Sequence, residues 1–190
     1  MTSTLMRSAV LAVLFGAPAV AYAHPGHGDI GGLFSGLIHP LAGLDHLLAM
    51  LAVGLWGAQL GGRARWVLPS LFVVFMLAGA GAGVAGIAVP GVEEVIVASV
   101  LALGLLLLWA RRVALAPGAV IVSAFALMHG VAHGAEMPVD AGMAYYMLGF
   151  ALSTALLHLA GIGVGSWRAS GIARLAGAGI ALAGLGLALS

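Results

Sequence analysis

Five of the seven histidines in this chain lie within long hydrophobic segments. An ionisable side chain at the centre of a bilayer costs roughly 2.5–3.5 kcal/mol on insertion scales, and such residues mark ion or substrate pathways. The neutral imidazole ring is also the commonest metal ligand among protein side chains. The pattern therefore predicts a path for a divalent transition metal ion between membrane helices. The five residues are His39, His46, His129, His133 and His158.

The first of these segments carries His39 and His46, seven residues apart, with Asp45 next to the second histidine. On one continuous helix this spacing is two turns, which separates the two residues by about 10 Å along the axis. Because the ligands of one ion lie only ~2 Å from it, we expect the two histidines to serve successive positions. Asp45 is either a ligand or a residue that orients an imidazole from a neighbouring helix. Met50, one turn beyond His46, is a softer candidate ligand, for which we favour plain packing.

The second segment carries His129 and His133, four residues apart on one helical face, where both rings can bind a single ion. Glu136 follows one turn later. Zinc-protease helices share this histidine spacing, but Gly130 occupies the position of their glutamate general base. The alternative is that both histidines donate hydrogen bonds to backbone carbonyls between helices. For His158, which stands alone in its segment, a metal-ligand role and a structural role are both open.

The N-terminal segment has the features of a secretory signal peptide. Arg7 precedes an apolar stretch at residues 8–20, and residues 21–23 have the small-x-small pattern of a cleavage site. We expect cleavage at the end of this pattern, the alternative being an uncleaved first anchor. His24 and His27 then lie outside the cytoplasm, in a segment that is either a loose metal-capture site or a solvated tail.

The composition is that of an integral membrane protein. Of the 190 residues, 63% are hydrophobic and 7% are charged, whereas about 25% are charged in a soluble domain. The absence of cysteine excludes disulfides, thiolate metal sites and cysteine nucleophiles. A formal net charge of +1 gives no basis for nucleic-acid binding, so a metal ion and the lipid bilayer are the expected partners. The 30 glycines, with pairs such as Gly79 and Gly83, indicate closely packed helices.

The predicted fold class is an all-α, polytopic membrane helix bundle with six transmembrane helices after a cleavable signal peptide. Residues 24–190 form a single domain, because no stretch remains for a soluble one. Each hydrophobic segment has roughly the 20 residues needed to cross the hydrocarbon core. Prolines such as Pro40 stand near the starts of these segments, where a missing N–H is tolerated. The predicted spans are residues 38–60, 67–88, 91–110, 117–135, 139–164 and 171–189.

Charged residues predict the orientation of the bundle. The six arginines after the signal peptide fall on one side, which is cytoplasmic by the positive-inside rule, and the acids other than Asp45 fall opposite. Both chain ends then lie in the periplasm of a bacterial inner membrane. From that side an acidic mouth, buried imidazoles and finally His158 follow one another inwards. The six arginines are Arg63, Arg65, Arg111, Arg112, Arg168 and Arg174.

The two histidine motifs resemble those of the HupE/UreJ family of nickel and cobalt permeases. The family's first-span motif, His-x5-Asp-His, is matched by His39, Asp45 and His46. In its later motif, Phe-His-Gly-x-Ala-His-Gly-x-Glu, Met128 replaces the phenylalanine, a change that affects packing and not ligation. The resemblance extends over essentially the whole chain and implies secondary uptake of Ni²⁺ or, in some members, Co²⁺. The residues that match the later motif are His129, Gly130, Ala132, His133, Gly134 and Glu136.

We therefore expect an inner-membrane permease that imports a divalent transition metal, with the metal as substrate, no prosthetic group and no enzyme activity. One alternative is an intramembrane zinc-dependent hydrolase in which Asp45 activates water. Another is a protein that holds haem between two imidazoles. Imidazole and carboxylate suit nickel, cobalt, zinc and copper alike, so the residues alone choose neither the metal nor the oligomeric state. The candidate metal-binding residues are His39, Asp45, His46, His129, His133, Glu136, His158, His24 and His27.

Overall fold

The computed structural model of this protein describes residues 28–110, 113–137, 142–166 and 170–190. The predicted signal peptide at residues 1–23 lies outside the described residues. Several residues that carry a sequence-based prediction lie outside them as well, namely His24, His27, Arg111, Arg112 and Arg168.

Seven α-helices, and no strand, are found in the part of the chain that the structure describes. Five of them are long and apolar enough to cross a membrane individually, and the first two together form a sixth, bent candidate span. This confirms the predicted all-α membrane bundle. In chain order the helices are α1 Gly28–Ala42, α2 Leu44–Leu60, α3 Ala64–Val84, α4 Val92–Trp109, α5 Leu115–Ala135, α6 Met143–Gly165 and α7 Ser170–Ala188.

The outer surface of the bundle is apolar. Large side chains such as Leu105, Val120, Leu156 and Leu182 are between 49% and 69% exposed. In water such a surface would be an aggregation hazard, whereas lipid tails are as apolar as leucine. Helices also satisfy their backbone hydrogen bonds internally, which is required within hydrocarbon. The surface therefore fits a bilayer. The interior of the bundle encloses seven buried polar side chains among the described residues, namely His46, Ser99, His129, His133, Ser153, Thr154 and His158.

The first predicted span is not one helix. Helix α1 begins at Gly28, ten residues before the predicted start at residue 38, and a break at Gly43 turns the chain by 84° into α2. Pro40, which the sequence placed near the start of a span, lies in the last turn of α1. A proline supplies no N–H to the turn before it and weakens a helix there. The prediction of a continuous helix over residues 38–60 was therefore wrong.

Helix α2 lies at the centre of the bundle, in contact with α1, α3, α4, α6 and α7. Its buried face includes Met50 and Trp56, which pack with Phe72 of α3 and Leu103 of α4 in the hydrophobic core. The remaining helices pack mainly in pairs, α1 with α6, α3 with α5 and α4 with α7. The break at the start of α2 thus lies against the interior of the bundle.

Glycines bring the backbones of α3 and α5 into contact. Gly79 and Gly83 of α3 face α5, and Gly130 and Gly134 of α5 face α3. A β-carbon at any of these four positions would overlap a carbonyl oxygen of the facing helix. The two motif glycines therefore pack the helix that carries His129, and they leave its histidine face free for other neighbours.

Polar contacts show which helix ends lie together. The Gln59 side-chain amide donates to the Leu107 carbonyl at 3.0 Å, joining the ends of α2 and α4. The Arg174 guanidinium, near the start of α7, donates to the Leu108 carbonyl at 3.4 Å. At the opposite end of the bundle, His39 of α1 contacts Glu136 after α5. The described arginines and the histidine-rich end are thus separated by the length of the helices.

Candidate metal centre

Three histidines from two helices converge in the interior of the bundle. His46 lies in the first turn of α2, and His129 and His133 lie on α5. Each offers a ring nitrogen that lies within 4.8 Å of those of the other two, and we name this group the buried triad. Its residues are at most 7% exposed. Two ligands of one ion are at most ~4 Å apart at metal–nitrogen distances near ~2 Å, so the three nitrogens need to approach one another only slightly to share an ion.

The buried triad depends on a local spacing and on a long-range contact. The interval of four residues puts His129 and His133 on the same face of α5. The ring centroid of His46 lies 4.0 Å from that of His133 and 4.9 Å from that of His129. The break at Gly43 produces this approach, because it places the start of α2 beside the α5 histidines.

Asp45 holds the ring of His46. One Asp45 carboxylate oxygen lies 2.6 Å from His46 Nδ1 and accepts a second hydrogen bond from the His46 backbone N–H at 2.8 Å. A carboxylate accepts, so Nδ1 carries a proton, and in the neutral imidazole Nε2 then keeps its lone pair. That Nε2 atom is buried and has no hydrogen-bond partner. Of the two roles that the sequence left open, the geometry favours an orienting one, directed at the adjacent His46.

Gly43 leaves the room that this pair needs. A β-carbon on Gly43 would lie 2.8 Å from the Asp45 carboxylate oxygen and 3.1 Å from His46 Nδ1. The backbone of Gly43 is extended, a conformation open to any residue. The reason for glycine at this break is therefore the space beside Asp45 and His46.

The ring nitrogens of the α5 histidines do not bond backbone carbonyls, the alternative that the sequence left open. His129 Nε2 lies 3.0 Å from the Ser99 hydroxyl, while His129 Nδ1 has no partner. Neither nitrogen of His133 has a hydrogen bond, and its nearest carboxylate oxygen, on Glu136, is 3.9 Å from Nδ1. Buried ring nitrogens are normally satisfied, because an unpaired one loses its solvation. A bound cation would satisfy those that carry lone pairs.

A second group of possible ligands lies at the end of the bundle and shares His133. His39, His133 and Glu136 also offer ligand atoms within 4.8 Å of one another, and we name them the rim triad. His39 Nε2 is 3.2 Å from a Glu136 oxygen, and the His39 and His133 ring centroids are 4.6 Å apart. The side chains of His39 and Glu136 are 26% and 54% exposed. The rim triad therefore connects the exterior with the buried triad through one imidazole.

The broken helix alters the predicted ladder of sites. The 10 Å separation of His39 and His46 assumed one straight helix. In the structure the two residues lie on different helices, and both rings contact His133. His39 and His46 belong to two adjacent groups, which is consistent with the expectation that they serve successive positions of the ion. The two groups have His133 in common.

Helix termini add to the electrostatics of the rim. His39 lies in the last turn of α1, His133 in the last turn of α5, and Glu136 caps α5. The carbonyls at a helix C-terminus carry a partial negative charge, equivalent to about half an electron, which favours a cation. Discontinuous helices whose ends face the midplane site recur in secondary transporters. The arrangement suits a cation that enters from the rim.

His158 is separate from both groups. Its ring is 2% exposed, neither nitrogen has a hydrogen bond, and its centroid lies 5.1 Å from that of Phe72. The ring centroid of Phe72 is also 5.7 Å from that of His129, so Phe72 contacts both the buried triad and His158. Met50 accepts a hydrogen bond from the Thr154 hydroxyl at 3.4 Å, in keeping with a packing role.

Sequence reasoning missed several groups around the triads. Phe150 packs on His133 with ring centroids 4.2 Å apart, and Tyr146 lies 5.7 Å from His39. Ser99 contacts His129 from α4, a helix to which no site residue had been assigned. Its signal in the sequence was its polarity, because it is the only polar residue between Val95 and Trp109.

Comparisons with known proteins agree with the motifs. A family model described as HupE/UreJ protein matches residues 11–189. Protein HupE of Rhizobium leguminosarum bv. viciae is 44% identical over 175 residues, which cover 90% of this chain and 91% of that protein. No solved structure matches this chain. With the motifs in place and a match along nearly its whole length, the chain belongs to the HupE/UreJ family.

Proposed function

We propose that this protein is an inner-membrane permease that imports Ni²⁺, or Co²⁺, along a path through the rim triad and the buried triad. The observation that carries the proposal is the sharing of His133 between the two groups. One group is open to the exterior, and the other is enclosed and holds lone pairs without partners. An ion can pass between them without losing all its protein ligands at once.

The donor set supports a divalent transition metal as the substrate. The two triads provide imidazole nitrogens and one carboxylate, a combination suited to nickel, cobalt, zinc and copper. Intrinsic affinity would favour copper over nickel. The choice of nickel or cobalt therefore rests on membership of the HupE/UreJ family.

The charge distribution supports inward transport. Arg63, Arg65 and Arg174 lie at the end of the bundle away from the rim triad. The positive-inside rule puts that end in the cytoplasm and the rim in the periplasm, with both chain ends periplasmic. A negative interior then contributes about 2.3 kcal/mol per charge per 100 mV, and roughly twice that for a divalent ion.

Transit requires several sites of moderate affinity. Conduction needs binding strong enough for entry and weak enough for release, which adjacent sites provide. In the proposed sequence His39 and Glu136 take the ion first, and His133 then passes it to His46 and His129. His158 is the next imidazole, beyond the ring of Phe72.

The other functions that the sequence left open have less support. The relatives give no support for a zinc hydrolase, and Asp45, its expected base, is engaged with His46 at 2.6 Å. A haem between two imidazoles would need a slot for the macrocycle, but the rings of His46 and His133 are 4.0 Å apart. The contacts of Asp45, His46 and His133 therefore favour transport over both the hydrolase and the haem-binding alternative.

The proposal is tested by metal uptake into proteoliposomes that contain the purified protein, with ⁶³Ni²⁺ and an imposed potential. His46→Ala and His129→Ala should each reduce uptake to that of protein-free vesicles while the amount of inserted protein stays unchanged. Ser153→Ala, which removes a buried hydroxyl on α6, is the matched control and should transport normally. Undiminished uptake by both histidine variants would contradict the proposal.

A further inference from the structure

Ser99 is a fully buried polar residue, and the other side chains of α4 beyond the two glutamates of its first turn are apolar. Its hydroxyl oxygen lies 2.6 Å from the Ile96 carbonyl oxygen one turn earlier and 3.0 Å from His129 Nε2. The second contact joins α4 to the buried triad. Neither family motif includes Ser99, and it offers no strong metal ligand of its own.

The hydrogen atoms in this arrangement can be assigned by elimination. A serine hydroxyl has one hydrogen to donate, and the Ile96 carbonyl can only accept. The hydroxyl hydrogen therefore goes to Ile96, and the oxygen accepts from His129 Nε2. A neutral imidazole with its proton on Nε2 has its lone pair on Nδ1. His129 Nδ1 is the buried nitrogen without a partner.

We propose that Ser99 is a positioning residue, which fixes the tautomer of His129 so that Nδ1 faces the transported ion. This inference rests on the proposed function, because it assumes that the buried triad binds the metal. The group bound to the second nitrogen of a ligating histidine commonly fixes both ring orientation and tautomer. Ser99 performs this task for His129, as Asp45 does for His46.

Asp45 and Ser99 differ in charge, and this difference suits the passage of an ion through the buried triad. Asp45 is a carboxylate that leaves Nε2 of His46 to bind, whereas Ser99 is a neutral hydroxyl that leaves Nδ1 of His129. A carboxylate partner raises the basicity of an imidazole ligand, and a hydroxyl has no charge with which to do so. The bond from His129 is therefore the weaker of the two, as release towards His158 requires.

The test uses the full chain in lipid nanodiscs with ¹⁵N-labelled histidine and with Co²⁺ alone as the probe. Nitrogen chemical shifts distinguish protonated from unprotonated ring nitrogens, and the His129→Ala variant identifies the His129 signals. In the wild type we expect the proton on Nε2. Ser99→Ala should release this preference and weaken Co²⁺ binding by about 10–100-fold, the usual effect of losing such a partner. Ser99→Thr keeps a hydroxyl and should restore both properties.

Controls separate this inference from the proposed function. Ser153→Ala should leave the His129 tautomer and Co²⁺ affinity unchanged. A wild-type His129 with its proton on Nδ1 would overturn the role of Ser99 without need of any variant. So would normal affinity in Ser99→Ala alongside lost binding in His129→Ala, a result that leaves the proposed function intact. Normal binding in His129→Ala would overturn both.

Discussion

Two parts of the bundle each contribute two histidines to the site, but they position them differently. Helix α5 carries His129 and His133 on one continuous face, packed through glycines against α3. The other pair, His39 and His46, lies on two helices joined by an 84° turn. The first pair is set by the helical repeat, and the second by a chain break. The comparison shows that α5 serves as the fixed wall of the site and the broken segment completes it.

Helix α5 and the broken segment should also differ in how far they can shift. A regular helix whose backbone contacts its neighbour can shift little, because packed interiors resist deformation. The break consists of the single residue between α1 and α2, and such breaks are where transporter helices commonly form ion sites. A change at His133 of α5 should therefore disturb both groups of ligands, and a change at the α5 glycines should disturb the fold itself. Changes at the break should disturb one group and spare stability.

The largest effect, complete loss of uptake, is expected at His133, as at His46 and His129 of the buried triad. His133→Ala removes a ligand from the rim triad and the buried triad together, so uptake of ⁶³Ni²⁺ should fall to that of empty vesicles. His39→Ala removes a ligand from the rim triad alone, and uptake should be reduced but measurable. Equal losses in the two variants would contradict the role assigned to His133.

The next effect tests the break. In Gly43→Ala the added carbon would crowd the Asp45 carboxylate at 2.8 Å and disturb its bond to His46. Co²⁺ affinity, measured by calorimetry, should fall about 10–100-fold, as when an orienting partner is lost. Thermal stability should change little, because the backbone conformation accepts alanine. Gly81→Ala, at a position with open space, is the control and should bind normally.

The third prediction concerns the packing of α5 against α3. Gly130→Ala places a carbon against the Met76 carbonyl oxygen, so α3 and α5 must separate. Unfolding in detergent should become easier by about 1–3 kcal/mol, the usual cost of overpacking. Gly163→Ala on α6 meets no atom within 4 Å, and the higher helix propensity of alanine should make it neutral or stabilising by up to ~1 kcal/mol. If the two variants were equally stable, the close contact of α3 and α5 would not be needed.

The smallest effect is expected at His158, which belongs to neither triad. His158→Asn retains a polar side chain but removes the imidazole that lies past Phe72. The equilibrium affinity for Co²⁺ should stay at the wild-type value, since His158 belongs to neither triad. Uptake of ⁶³Ni²⁺ should slow a few-fold if this ring receives the ion on its way inwards. A loss of affinity would instead place His158 in the binding site.

The helices could largely be read from the sequence. Hydrocarbon length and apolar composition predict spans such as 117–135 and 139–164, and the structure has helices at Leu115–Ala135 and Met143–Gly165. The position of His129 and His133 on one helical face follows from the helical repeat. The membrane setting follows from a chain that is 63% hydrophobic. These features depend on residues close to one another along the chain or on composition alone.

The partners of each histidine could not be read in this way. Pro40 was predicted to stand near the start of a span, where a proline is tolerated, and neither the position nor the angle of the turn at Gly43 was predicted. Ser99 was a single polar residue in an apolar run, and nothing in its neighbourhood pointed to a residue 30 positions later. Such contacts depend on how closely two backbones approach and on how the helices are rotated about their axes.

The sequence by itself determined that this is a helical membrane protein, which residues are candidate metal ligands, and that His129 and His133 share one helical face. Helix geometry and the apolar solvent fix those features locally. Only the tertiary structure decided that His46 joins α5, that His133 belongs to two groups, and that Asp45 and Ser99 hold the neighbouring rings. The physical reason is that helices pack through small residues at distances set by both partners, which no single segment encodes.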